Sequence, residues 1–445
     1  MSVAFSNQQN INWQTFIADV KKLTEQLKQQ KELRWAICCG DSYFFCIAFF
    51  AAACAAKKIV LPGNHQPEML NSLSAEFDAM LQDGQLIDYS DKKQIQLPIS
   101  NNESQLKLQP QSQAFLPALD LAKVSITLFT SGSSGLPKPI VKRLTLLDNE
   151  IQQLEKNWGA LLTNKKIVST VSHQHIYGLL FRLLWPLCAG RSFARTNLIY
   201  PEQVVANAQS NLVLISSPAL LKRIEDVTGF DGYAAVFSSG GSLAYSAVRQ
   251  SSASLKQLPI EVFGSTETGG IGYRQQTREG CVWTFFEGIV ADTDAHDCLT
   301  LKSPWIGDDW YQTADQCQLL GQHNGQKKFI VKGRADKIVK IEEKRISLIE
   351  VEQHLTELPW IYESAVILLE TEQRSALGGV LALTEEGINE INRLGKGKFW
   401  ILLRQQLRLW IEPVAIPRYF RVINEIPVNT QGKRSHAELI KLFVE

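Results

Sequence analysis

Phe129-Thr130-Ser131-Gly132-Ser133-Ser134-Gly135-Leu136-Pro137-Lys138 is the stretch on which the reading of this chain turns. Glycines at 132 and 135 let backbone N–H groups approach an anion closely, and the hydroxyls of Thr130, Ser131, Ser133 and Ser134 add donors. Pro137 and Lys138 close the loop. The preceding run, Val124-Ser125-Ile126-Thr127-Leu128-Phe129, reads as a β-strand. A strand emptying into a Gly/Ser/Lys loop is one way to hold a polyphosphate. A flexible surface connector is the other reading of such a segment. The loop is not a Walker A sequence, which needs four residues between its glycines and a Lys-Ser/Thr pair after the second.

On either side, strand-like and helix-like patterns alternate. Residues 12–30 carry Trp13, Phe16, Ile17, Val20, Leu23 and Leu27 at helical spacing. Trp35–Cys39 reads as a buried strand, Tyr43–Ala56 as an apolar helix and Ile59–Leu61 as a second strand, together a parallel βαβ unit. Residues 100–113, rich in Asn, Gln and Ser, are expected to form an exposed loop. Leu212–Ile215, Ala234–Phe237 and Ile260–Phe263 are three further strands. A helix should start at Ser216-Ser217-Pro218, where serine caps and proline suits the first turn. Two of these strands run into Gly-rich loops, Ser238–Gly241 and Gly264–Gly270. Ligands bind beyond the carboxyl ends of parallel strands, so these loops and the 129–138 loop should converge.

After residue 300 the texture is shorter in period and more charged. A helix is expected after Ile346, with Ile349, Val351 and Leu355 facing inward. Strands are expected at Ala365–Leu369 and Val380–Leu383, and a basic, partly apolar helix over Phe399–Trp410. The boundary falls at Arg334–Lys337, leaving a small α+β domain after it.

With 445 residues the chain exceeds one ordinary core. Its 45% hydrophobic and 20% charged residues are those of a globular protein. A net charge of +1 gives no electrostatic footprint for nucleic acid. The first ten residues lack the basic-then-apolar pattern of a signal peptide, and no apolar run is long enough to span a bilayer, so no membrane anchor is expected. None of the eight cysteines forms a Cys-x-x-Cys pair, and most sit among apolar neighbours, which suits a reducing cytoplasm.

Five motifs, in order, resemble the adenylate-forming superfamily: acyl-CoA synthetases, aryl ligases, non-ribosomal adenylation domains and luciferase. They are Thr130–Lys138; His173-Gln174-His175-Ile176-Tyr177-Gly178; Phe263-Gly264-Ser265-Thr266-Glu267-Thr268; Tyr311-Gln312-Thr313-Ala314-Asp315 with Gly333-Arg334; and Pro427–Lys433. The resemblance covers nearly the whole chain. It implies an α/β fold, with a large N-terminal AMP-binding domain of parallel-rich βα units (1–334) and a small mobile α+β lid domain (337–445).

The resemblance also implies roles. The loop Thr130, Ser131, Gly132, Ser133, Ser134, Gly135 and Lys138 would close over the β- and γ-phosphates of ATP. His175 would line the carboxylate pocket; a core or capping histidine is the plainer reading. Gly240 and Gly241 would flank adenine, with Phe263 and Gly264 beside it. Thr266 would contact phosphate and Glu267 would hold Mg²⁺, which prefers few carboxylates plus phosphate oxygens. Asp315 would accept both ribose hydroxyls, with Arg334 assisting. Lys433 would be the adenylation lysine, Asp336 the hinge, and Lys340 a residue that faces the site after rotation.

The implied activity is ATP-dependent activation of a carboxylic acid, followed by transfer to a phosphopantetheine thiol. Two departures stand out. Ala314 replaces the usual glycine, and Glu343 stands where many members have a glycine beside the pantetheine path. With Lys433 so near the end, a carrier would act in trans. The compact form looks most like the stand-alone ligases of aryl polyene and xanthomonadin-type clusters, which implies an aromatic acid and an acyl carrier protein as partner. The alternatives are an aliphatic acyl-CoA synthetase using free CoA, and an inactive scaffold homologue. A kinase-type ATPase is disfavoured by the missing Walker spacing.

Overall fold

The computed structural model describes the chain except for residues 7–8, 64, 66, 85–91, 99–115, 132–136, 226–230, 324–325, 336–337, 342–343, 371–374, 412, 429–433 and 445. The described chain divides into two compact units. The first comprises Met1–Val290, Lys302–Tyr311 and Asn324–Lys327; the second comprises Ala291–Leu301, Gln312–His323 and Lys328–Glu445.

The first unit is α/β. Asn12 caps the helix Trp13–Lys28 by accepting the Thr15 N–H at 2.9 Å, and Phe16, Ile17, Val20, Leu23 and Leu27 form its buried face. Asp41 caps the helix Ser42–Cys54, which is apolar nearly all round and buried accordingly. Its two flanking strands, Arg34–Cys38 and Lys58–Leu61, pair in parallel, which completes the expected βαβ unit. They lie in a six-stranded sheet ordered Lys93–Gln96, Ala79–Gln82, Arg34–Cys38, Lys58–Leu61, Ser125–Ser131 and Pro137–Arg143. Only the last pairing is antiparallel.

In a second sheet, Lys166–Ser169, Leu212–Ser216, Ala235–Ser238 and Ile260–Ser265 run parallel in that order. Gly269–Arg274 and Trp283–Phe285 then continue it antiparallel. The 129–138 stretch and the Ile260–Ser265 strand therefore belong to different sheets of one unit, and both end in antiparallel hairpins rather than in βα loops. One core cluster packs Leu214, Val236, Leu221, Tyr233 and Val248 behind the second sheet. The helix at Pro218–Leu221 does form, but the Ser217 side chain makes no capping hydrogen bond; proline at the first turn is the signal that held.

The second unit is α+β. Ile361–Glu370 pairs antiparallel with Ser375–Leu383, which pairs in parallel with Tyr419–Val422. The helices Leu348–Thr356 and Lys396–Leu407 contribute Leu348, Val351, Leu355, Phe399, Leu403 and Leu407 to the core. Leu348 takes the buried position with Val351 and Leu355, at the i, i+3 and i+7 spacing of one helix face, and Ile349 is half-buried. The exposed-loop expectation for 100–113 lies outside the described residues.

All eight cysteines are free thiols. Burial pushes the Cys38 thiol up to about 12, so it is an inert apolar side chain rather than a nucleophile. Among the described residues, no helix is long and apolar enough to cross a membrane.

Candidate active site

The hairpin Ser125–Ser131/Pro137–Arg143 pairs Thr130 with Lys138 and Ser131 with Pro137, so residues 132–136 connect its two strands. Gly132, Ser133, Ser134 and Gly135 themselves lie outside the described residues, while Lys138 is exposed on the return strand. From the end of the outgoing strand, Thr130 Oγ1 donates to Glu267 Oε1 at 3.4 Å. Two motifs 137 residues apart thus meet at one point.

Glu267 sits in the turn between Ile260–Ser265 and Gly269–Arg274. The turn is held by side chains. Ser265 N–H donates to Thr268 Oγ1 at 3.0 Å, and Thr268 N–H donates to Ser265 Oγ at 3.1 Å. Gly264 is a steric necessity, because a Cβ there would lie 2.1 Å from the Gly269 carbonyl oxygen. Thr266 and Glu267 remain partly exposed, with Thr268 buried. The Phe263 ring lies 5.5 Å from Trp283, tilted by 48°.

Three further residues, none of them part of a motif in the sequence, brace this turn. Lys142, 3% exposed, donates from Nζ to the Glu267 carbonyl at 3.0 Å. Glu150, 4% exposed, accepts the Gly270 N–H at 2.7 Å. Trp305 donates from its indole to the Gly270 carbonyl at 2.9 Å. Burial pulls the Lys142 ammonium below its ordinary value, against the pull of the Glu150 and Glu267 carboxylates. Burial likewise pushes the Glu150 carboxyl up, against Lys142.

Beside this turn in the same sheet, Ser239 Oγ donates to the Val262 carbonyl at 2.8 Å, which fixes the loop after Ala235–Ser238. Gly240 has a left-handed φ of +94°, and a Cβ there would meet nothing within 4 Å. Gly241 is equally open: its nearest neighbour would be Pro218 Cγ at 3.9 Å. These glycines leave the backbone bare.

His175 is the N-cap residue of the short helix Ile176–Gly178, but its side chain makes no capping bond and it is half-buried. His173 is a structural histidine. It is buried, with Nε2 2.8 Å from the Cys39 carbonyl and Nδ1 3.4 Å from Ser42 Oγ, and desolvation holds its imidazole neutral. Gly178 must be glycine, because a Cβ there would lie 2.0 Å from the Ser172 carbonyl. The chain then continues as a π-helix, Leu179–Leu184.

In the second unit, Arg334 Nη1 donates to Asp315 Oδ1 at 3.1 Å, and Thr313 Oγ1 accepts the Asp315 N–H at 3.1 Å. The motif halves at 311–315 and 333–334 are therefore one constellation, and Ala314 does not disturb it. Lys340 lies on the strand Ile338–Ile341, opposite Arg345. Asp336 and Lys433 lie outside the described residues, as does Glu343.

Among the described residues, no group of three or more His, Cys, Asp or Glu side chains is placed to hold a metal. One carboxylate, Glu267, beside one hydroxyl, Thr130, suits a cation that draws its other ligands from water and phosphate. That is the habit of Mg²⁺ and not of Zn²⁺ or Ca²⁺.

Fold and site together define a nucleotide-handling α/β enzyme with a separate small α+β unit. The AMP-binding enzyme family matches residues 2–288, and the chain belongs to it as an enzyme of the AMP-forming ligase kind. The 4-coumarate–CoA ligase of Rhodobacter capsulatus is 24% identical over 305 residues, covering 68% of this chain and 73% of that one. The putative long chain fatty acid-CoA ligase VraA of Staphylococcus aureus is 22% identical over 340 residues, covering 71% and 70%. Among solved structures, o-succinylbenzoate CoA synthetase (MenE) from Bacillus subtilis, in complex with its acyl-adenylate intermediate, superposes with a TM-score of 0.76 at 16% identity. That match covers 98% of this chain and 95% of that one.

Proposed function

We propose that this enzyme activates a carboxylic acid, preferably aromatic, with ATP and passes the acyl group to a phosphopantetheine thiol of an acyl carrier protein. The carboxylate oxygen attacks the α-phosphorus, and the bond to the β-phosphate bridging oxygen breaks. The products are acyl-adenylate and pyrophosphate. The thiol sulfur then attacks the acyl carbon, AMP leaves with the electron pair, and the thiol proton passes to solvent.

The observation that carries this reading is the meeting of Thr130 and Glu267 at the ends of two hairpins from two sheets. Thr130 and the 131–138 loop bind the β- and γ-phosphates by backbone N–H groups and hydroxyls. Glu267 would hold Mg²⁺ against the same phosphates; when bound, the ion neutralises charge that builds up on the departing pyrophosphate. Asp315, oriented by Arg334 and Thr313, accepts the ribose hydroxyls. Open backbone at Gly240 and Gly241 receives the adenine face, with Phe263 alongside. His175 lines the acid pocket. Lys433 donates to the α-phosphate region during adenylation, a contribution of about 3 kcal/mol for one well-placed donor. Rotation about Asp336 then exchanges it for Lys340 while the thiol enters.

Free CoA is the second acceptor to weigh, and the likeness to 4-coumarate–CoA ligase favours it. Glu343, at the position where many members have glycine, favours a carrier-bound pantetheine instead. An aliphatic acid is the corresponding alternative substrate, in line with the likeness to the putative fatty acid-CoA ligase. Pyrophosphate exchange against aromatic and aliphatic acids, followed by CoA or holo-carrier protein added separately, decides all three. If no acid supports exchange, an inactive scaffold homologue is favoured.

A further inference from the structure

Lys142 and Glu150 are charged residues that the proposed chemistry does not use, yet both are almost wholly buried. Taking such groups out of water costs several kcal/mol each unless partners are well placed. Their partners are the two ends of one turn. Lys142 Nζ holds the Glu267 carbonyl at 3.0 Å, and Glu150 Oε1 holds the Gly270 N–H at 2.7 Å. Glu150 Oε2 makes no hydrogen bond and lies against Gly269, 2.6 Å from where a Cβ would be.

Their place in the chain is as telling as their burial. Lys142 is on the return strand of the phosphate-loop hairpin, Pro137–Arg143, and Glu150 is on the helix Leu144–Trp158 that follows directly. Thr130, on the outgoing strand, reaches the Glu267 carboxylate itself. One hairpin therefore grips Glu267 twice, at the side chain from its tip and at the backbone from its stem. The adjoining helix grips the far end of the turn. A neutral side chain at either position can serve as packing. A buried ammonium on the carbonyl and a buried carboxylate on the amide are directional, and charge-assisted bonds of this kind are about twice as strong as neutral ones.

We infer that Lys142 and Glu150 are positioning residues that lock the Glu267–Gly270 turn to the hairpin Ser125–Ser131/Pro137–Arg143, so that the Glu267 carboxylate and Thr130 engage the same cation-bound polyphosphate. This rests on the reading of Glu267 as the residue that meets Mg²⁺.

The test uses the full chain and three variants: Lys142→Met, Glu150→Gln, and the double Lys142→Met/Glu150→Leu. The double variant replaces the charges with apolar groups and guards against misfolding of the singles, since such replacement is often neutral for stability. ATP binding is followed by calorimetry as Mg²⁺ is titrated. Losing a hydrogen bond to a charged group corresponds to about tenfold or more. The Mg²⁺ concentration at half-maximal ATP binding should therefore rise about tenfold in each folded variant. Affinity for ATP without Mg²⁺ should change little. An unaltered Mg²⁺ requirement in folded variants overturns the inference and leaves the pair as structural support only. Amide exchange at Gly270 in the ligand-free protein separates this failure from failure of the functional reading. If the wild type shows no acid-dependent pyrophosphate exchange, that reading falls, while unchanged protection of Gly270 in the variants still refutes the brace.

Discussion

Gly269→Ala is the substitution whose cost can be worked out most fully. Gly269 opens the return strand after the Glu267 turn, pairs with Ser265, and has φ of +65°. An L-residue in that left-handed conformation costs about 1–2 kcal/mol. A Cβ there would also lie 2.6 Å from Glu150 Oε2 and 2.7 Å from Trp305 Cδ1. Neither neighbour is a free end. Glu150 is tied to the Gly270 N–H and Trp305 to the Gly270 carbonyl, so both must be pushed out of hydrogen-bonded positions. Overpacking of a filled interior costs about 1–3 kcal/mol. The total is about 2–5 kcal/mol. Gly240→Ala is the control, because Gly240 shares a left-handed φ but has open space around it, so only the backbone cost applies. Urea unfolding at pH 7.5, with the slope compared between proteins to verify two-state behaviour, measures both. Gly269→Ala should lose more stability than Gly240→Ala by the packing cost. Equal losses, or a loss below about 0.5 kcal/mol at Gly269, would refute the packed-turn account.

The other predictions are simpler. Lys433→Ala should abolish pyrophosphate exchange yet spare thiol transfer from preformed acyl-adenylate; equal loss of both half-reactions would remove the two-state assignment of Lys433. Glu155→Ala strips the carboxylate from Arg191, whose side chain is 6% exposed and bonded to both Glu155 oxygens at 2.6 and 2.8 Å. The cost should be about 2 kcal/mol in urea unfolding, below the 3–5 kcal/mol of a fully buried pair because the Glu155 side chain is 43% exposed; no loss would mean the backbone carbonyls of Leu162 and Gly159 suffice. Desolvation depresses the His173 pKa well below its ordinary value of 6.5, so the unfolded chain binds the extra proton first. Its contribution is present above pH 6.5 and is lost as pH falls below that, with a slope of at most about 1.4 kcal/mol per pH unit. His173→Gln should flatten the acid side of the stability profile, and an unchanged slope would count against this origin.

Much of this was written in local pattern. The helix Trp13–Lys28 follows its apolar spacing, and the strands at 212, 235 and 260 follow continuous apolar runs that only a parallel, doubly covered sheet explains. The 129–138 stretch announced a strand ending in a loop, because an apolar run led straight into glycines. What local pattern withheld is partnership. Lys142 looks like one more surface charge between Val141 and Arg143, and its burial comes from a turn 125 residues away. Glu150 falls on a helix whose acidic residues otherwise suit solvent, and its burial depends on Gly270, 120 residues on. Thr130 and Glu267 do converge at strand ends, as the rule for parallel strands suggests, but that rule says nothing of how each strand is followed. Antiparallel return strands after both motifs, invisible to a period of two, made hairpins from two sheets. His173 and His175 are two residues apart and similar in sequence, yet only the fold separates the buried structural imidazole from the half-buried one.

Labelled pyrophosphate incorporation into ATP, with nucleotide products resolved, reads acyl-adenylate formation itself. Incorporation should depend on a carboxylic acid and on Mg²⁺, with AMP as the product once a thiol acceptor is added. Formation of ADP, or no incorporation with any acid while ATP still binds, would contradict it.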